Sequence, residues 1–217
     1  MSKAEGNALP FFERPDLSPF LVHLTRNTEA KDGFTAFMNL VSILLYGEVR
    51  GSGKDGFIKG PHKAACFMDV PLSSLKYVLN QANTEGDRPR YEAYGIVILK
   101  SYAYEQGCRP VLYLSDKETS DLKIPDDELW RVVRLEAVDG TGVNWIHERE
   151  WRAKGNFILP QATIAVLVQS TEDATRLEKL INKGRGELKS IPSAIIPLEV
   201  LCQGLPYLSP RSERLQK

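Results

Sequence analysis

The sequence predicts an α+β fold, and three observations predict it. Short apolar runs rich in β-branched residues and bounded by turn residues recur about seven times along the chain. Only two or three segments carry apolar residues at helical spacing. Those helices do not alternate regularly with the strands, which argues against a doubly wound parallel sheet. At 217 residues the chain is long enough for one ordinary domain to bury a substantial core. The expected organisation is an N-terminal arm over 1–19, a single α+β domain over 20–208 and a C-terminal tail over 209–217.

The arm is read from its three prolines set among polar residues. PFLVHLTRN (19–27) then runs apolar to a polar stop and predicts a buried strand, with Leu21, His23 and Thr25 on one face. A histidine there is more often structural than a ligand. Phe37, Leu40, Val41, Leu44 and Leu45 recur at helical spacing, so 34–46 predicts a helix that Gly47 ends in a left-handed cap. The glycine-rich stretch 47–60 predicts a flexible loop. It lacks both the GxxxxGK[ST] pattern and the strand-to-GxGxxG-to-helix setting, so a phosphate cradle has little support.

AACFMDV (64–70) reads as a buried strand, and Pro71 opens a helix-favouring run to 83. Asp69 at that junction reads as a structural acceptor. After a loop over 84–90, YEAYGIVILK (91–100) predicts a central strand with Tyr94, Ile96 and Ile98 sharing a face. A short helix stopped by Gly107 and a strand over 110–114 follow. Residues 116–128 predict an exposed charged loop, 129–138 a strand or a helix, and 139–142 a turn.

The stretch VNWIHEREWRAKGNFIL (143–159) gathers the most acid, base and aromatic surface. As a strand over 146–152, it places Glu148, Glu150 and Arg152 on one face and His147, Arg149 and Trp151 on the other. Two neighbouring carboxylates repel, so cations or a ligand's donors must hold them. The competing reading is a solvated Glu/Arg ladder that guards a sheet edge, with Trp151 and Phe157 as core. Beyond it, 162–170 predicts a buried strand, and 171–183 an amphipathic helix with Thr171 as its N-cap and Gly184 past its end. The last strand, 193–201, is broken or placed at an edge by Pro197.

Lysine plus arginine and aspartate plus glutamate number 28 each, so no net field steers the protein to nucleic acid or an anionic membrane. Three widely spaced cysteines exclude a CxxC motif and suit a reducing cytoplasm, the expected location. The N-terminus has no long apolar run, which predicts neither signal peptide nor membrane span. There is no GxSxG elbow, no thiolate signature and no HExxH spacing, so no metal is expected and a carboxylate site remains.

CFMDVPLSSL (66–75), YGIVILKSYAYEQGCRPVLYLSD (94–116) and EREWR (148–152), with the HLT opening at 23–25, resemble successive blocks of the AbiGi-type abortive phage-resistance family. The resemblance implies a bacterial or phage-related cytoplasmic protein. It further implies the antitoxin-like half of a two-gene defence system, whose partner would be a toxin protein or its own promoter DNA.

A more distant resemblance is to the ADP-ribosyltransferase fold, carried by the His-x-Thr strand, a helix ending near a glycine, a central strand bearing an aromatic and a late Glu-x-Glu. It implies a pair of small mixed or antiparallel sheets, two or three flanking helices and NAD between the sheets. His23 would then hold the adenosine-side ribose with support from Thr25, and Tyr94 would stack on nicotinamide, with Tyr91 and Tyr102 as competitors. Glu150 would hold the nicotinamide ribose, Glu148 would orient or deprotonate the acceptor, and Arg152 would meet the pyrophosphate. The family's serine–threonine–serine strand has no counterpart here. Two functions follow: transfer of ADP-ribose from NAD to a macromolecule, or non-catalytic recognition of a toxin or promoter.

Overall fold

The structure, a computed structural model, describes residues 14–80, 84, 90–136 and 144–202. Most of the expected arm, the turn at 139–142 and the tail at 209–217 lie outside the described residues. The chain runs β1 (Phe20–Leu24), α1 (Glu29–Asp32), α2 (Ala36–Tyr46), β2 (Glu48–Val49), β3 (Ala64–Met68) and α3 (Leu75–Val78). It continues through β4 (Gly95–Leu99), α4 (Lys100–Glu105), β5 (Arg109–Pro110), β6 (Leu112–Leu114), α5 (Asp116–Asp121) and β7 (Val132–Arg134). The last elements are β8 (Glu150–Lys154), β9 (Phe157–Ile158), β10 (Ala162–Thr163), β11 (Ala165–Val168), α6 (Thr171–Lys183), β12 (Ile191–Pro192), β13 (Ile195–Pro197) and α7 (Leu198–Leu201).

The class is α+β, as the irregular order of strands and helices predicts. Seven strands form one mixed sheet in the order β13-β11-β4-β1-β3-β8-β5, and three two-stranded ribbons (β10-β12, β2-β9, β6-β7) lie beside it. The expected pair of small sheets is visible as a near-division of the large one. β1 and β4 pair over five positions and β3 and β8 over five, whereas β1 and β3 meet in register at Val22 opposite Met68 alone. At that joint the His23 imidazole stands in for the missing ladder, Nδ1–H donating to the Cys66 carbonyl at 2.8 Å. Both outer strands carry a proline, Pro110 in β5 and Pro197 in β13, which removes donors from edges that would otherwise recruit another chain.

Strand alternation sorts the core into two layers. On one face, Leu21, Phe67, Ile96, Ile98, Ala153 and Val166 pack with Phe37, Leu40 and Leu44 of α2 and with Leu177 and Ile181 of α6. On the other, Val22, Met68, Val97 and Leu167 meet Leu75 of α3, Leu79 and Leu198 of α7. Each fully buried Leu, Ile, Val, Phe or Met side chain among them contributes about 1.5–3 kcal/mol. α2 begins at Thr35, whose hydroxyl accepts from the Met38 N–H, and ends at Gly47 with φ 65°. That is the left-handed cap its sequence predicts.

Four local expectations are corrected. The glycine-rich stretch supplies β2, which pairs with β9, and Ser52, which bridges to Ala64. The charged run after Leu114 opens as α5 because Ser115 and Glu118 form a reciprocal capping box. Ser170 rather than Thr171 caps α6, its hydroxyl accepting from the Asp173 N–H. The run after Pro71 is one 3-10 turn, Leu72–Ser74, followed by the four residues of α3. Among the described residues, no helix is long and apolar enough to cross a membrane.

Candidate functional site

The strand predicted over 146–152 is divided at Arg149. Ile146–Glu148 form a 3-10 turn, Arg149 takes left-handed backbone angles (φ 46°, ψ 51°), and β8 starts at Glu150. A non-glycine residue in that region costs on the order of 1–3 kcal/mol and persists only where its surroundings hold it. Here the Arg149 carbonyl accepts the Asp69 N–H, while its guanidinium donates to the Asp16 carbonyl and lies 3.7 Å from the Asp69 carboxylate. Asp69 is also bonded to Lys100 at 2.8 Å, so the structural role expected of it holds. The break separates the environments of the two glutamates.

Glu150 is gripped side-on by Arg152, Nε to Oε1 at 2.8 Å and Nη2 to Oε2 at 3.1 Å. Arg152 is 4 % exposed and donates its Nη1 to the carbonyls of Trp130 and Val132. Burial works against its charge, but the Glu150 carboxylate outweighs it and holds the guanidinium above its ordinary value. With both carboxylate oxygens taken, the pair pins β8 to the chain entering β7.

Glu148 sits differently. Its Oε1 accepts from Arg90 Nη2 at 2.7 Å and from the Tyr91 hydroxyl at 2.8 Å, and among the described residues nothing bonds to Oε2. Its side chain, 12 % exposed, lines a hollow of about 190 Å³. Met68, Val70 and Val78 give the hollow apolar walls, Tyr77 and Tyr91 aromatic ones, and Ser74, Asn80 and His147 the remaining polar groups. Arg90 is braced by its guanidinium 4.0 Å from the Trp145 ring centroid and 5.3 Å from that of Tyr91. Burial, reinforced by the adjacent Glu148, drives the Tyr91 phenol well above its ordinary value, so it remains a donor.

His23, Thr25 and Tyr94 lie on the other face of the sheet. His23 packs its ring 5.8 Å from Phe67, and burial, partly opposed by the Cys66 carbonyl, lowers its pKa and favours the neutral ring. The Thr25 hydroxyl donates to the Ala36 carbonyl. The Tyr94 hydroxyl donates to Asp173 of α6 at 2.9 Å, and burial, then Asp173, keeps that phenol protonated. Register fixes the separation, because Val22, Met68 and Glu150 share one face while His23 and Phe67 share the opposite one. The expectation that His23, Tyr94 and Glu150 line one cleft is therefore corrected: alternation turns them to opposite faces, and Arg152 occupies Glu150. Arg152, placed beforehand on a pyrophosphate, is buried against Glu150 instead.

Sequence reasoning named Glu148 and offered Tyr91 as a competitor to Tyr94. It missed Arg90, Tyr77 and Asn80, and it assigned His147 to the face opposite Glu148. No local signal marks these residues, since Arg90 and Tyr91 reach Glu148 across more than fifty residues of sequence. Of the cysteines read as buried small groups, Cys108 and Cys202 are buried and Cys66 is partly so; burial raises the Cys66 thiol and pushes Cys108 up to about 12. Among the described residues, no group of three or more His, Cys, Asp or Glu could hold a metal ion.

No protein-family model matches the chain, and no curated protein matches it. Among solved structures it is similar to Thermus sp. 2.9 DarT in complex with carba-NAD+, at 13% sequence identity and a TM-score of 0.44. The match covers 86% of this chain and 97% of that chain.

Proposed function

We propose that the protein cleaves the nicotinamide–ribose bond of NAD and transfers the ADP-ribose, with Glu148 as the carboxylate that stabilises the reacting sugar. One observation carries the reading: a carboxylate held on one oxygen by Arg90 and Tyr91, its other oxygen unbonded among the described residues, in an aromatic and apolar hollow. As a pyridinium leaves ribose, positive charge passes from the ring to the sugar's anomeric carbon. A negative group fixed in place beforehand lowers the energy of that state without having to reorganise. The lining suits a flat ring: Tyr77 and Tyr91 supply aromatic surface, and Met68, Val70 and Val78 supply apolar surface. At about 190 Å³ the hollow is smaller than the roughly 300 Å³ at which drug-sized pockets begin. It accepts one ring and part of its sugar, and the remainder of the dinucleotide would run outside it. The sheet nearly divided at β1 and β3 supports the ADP-ribosyltransferase-like layout, and the AbiGi-type sequence blocks support a phage-defence setting.

Incubation with NAD and cell extract tests the proposal. The wild type releases nicotinamide and labels an acceptor, and Glu148→Gln, which keeps shape and removes charge, loses both. Release by the variant at the wild-type rate would refute the assignment.

A second reading, a non-catalytic module recognising a partner toxin or its own promoter DNA, is favoured by the internal ion pairing of Glu150 with Arg152. Its signature is no nicotinamide release together with co-purification of the neighbouring gene's product.

A further inference from the structure

We infer that His147 is the general base that takes the proton from the group attacking the ribose. The inference rests on the proposed NAD chemistry and assigns a role which that chemistry leaves open. Glu148 must stay negative while the sugar becomes cationic, and a carboxylate that accepted a proton at that moment would extinguish the charge it supplies. A second group must therefore take the proton. Of the polar side chains lining the hollow, the Tyr91 phenol already donates to Glu148, and burial drives its ionisation further out of reach. Asn80, Ser74 and Tyr77 offer an amide, an aliphatic hydroxyl and a phenol, none of which is a general base of the imidazole kind. Among the described residues, the imidazole of His147 is the remaining group and has the chemistry required.

Its setting fits the role. His147 precedes Glu148 on the same 3-10 turn, so the base and the stabilising charge are positioned by one piece of backbone. Its ring lies 6.1 Å from that of Trp145, which in turn stacks on Arg90, the residue that holds Glu148. His147 is exposed where Glu148 is mostly buried, which places the base on the side from which an acceptor arrives. In the step itself, the acceptor's X–H gives its proton to the imidazole and X bonds to the anomeric carbon. The bond from that carbon to the pyridinium nitrogen breaks, its electron pair stays on the ring, and neutral nicotinamide leaves. The imidazolium then returns its proton to solvent.

Azide tests this with the full chain, because the azide anion attacks with no proton to lose. With NAD and water as the only acceptor, His147→Gln slows nicotinamide release by about 100-fold. Added azide restores release and forms ADP-ribosyl azide, while Glu148→Gln gains nothing from azide. His147→Gln melts with the wild type, since the side chain is exposed. Hydrolysis by His147→Gln at the wild-type rate, or a slowed rate that azide does not restore, overturns the inference and leaves the NAD reading standing. A wild type that releases no nicotinamide with either nucleophile overturns both.

Discussion

Replacing Glu150 with Gln removes one charge from a pair that is almost wholly out of water: 13 % of the Glu150 side chain and 4 % of Arg152 is exposed. The guanidinium that remains keeps the Trp130 and Val132 carbonyls but exchanges its two-point grip on a carboxylate for at most one bond to a neutral amide oxygen. Breaking a buried pair from one side costs about 3–5 kcal/mol, chiefly the cost of the stranded charge. For a domain of this size each kcal/mol lowers the melting temperature by roughly 2–4 °C, so Glu150→Gln should melt roughly 6–20 °C below the wild type. Urea titration checks the free energy directly, read at unchanged m so that the loss belongs to the folded state. The double variant Glu150→Leu, Arg152→Met strands no charge and should recover most of the loss. A single variant within about 1 kcal/mol of the wild type would refute the reasoning, because that is the worth of a solvated surface pair.

Two further perturbations follow from the fold. His23 has a depressed pKa in the folded state, so below the ordinary value of 6.5 the unfolded chain binds a proton that the folded chain resists. Stability then rises with pH through that range, is complete above 6.5 and is lost on acidification; His23→Gln should flatten this limb, and an unchanged slope by urea titration contradicts it. Gly47→Ala puts a side chain into left-handed backbone and a Cβ 2.8 Å from that of Lys189, so it should lose about 1–2 kcal/mol in the same assay. A neutral or stabilising result would contradict the cap.

Much of the fold was legible where local pattern and tertiary burial agree. Period-two alternation in 19–27 and 91–100 set Leu21, His23 and Thr25 on one face and Tyr94, Ile96 and Ile98 on one face, and both sets lie together in the same layer. Helical spacing before Gly47 and the proline in β13 placed a cap and an edge. The capping box of α5 was readable as Ser115-x-x-Glu118 but was masked by the charge around it. The site was less legible. Nothing in the identity of Arg149, neither Gly nor Asn, announces left-handed backbone, and that one residue converts an apparent Glu-x-Glu strand face into two separate environments. Partners from distant segments then decide the rest: Arg90 and Tyr91 leave Glu148 facing a hollow, and Arg152 closes Glu150 off.

The most direct measurement compares nicotinamide release from NAD by Glu148→Gln and Glu150→Gln, each rate divided by the fraction of that protein folded under the assay conditions. The account predicts that Glu148→Gln is silent while folded, and that Glu150→Gln keeps the wild-type rate per folded molecule. A folded, inactive Glu150→Gln beside an active Glu148→Gln would contradict it.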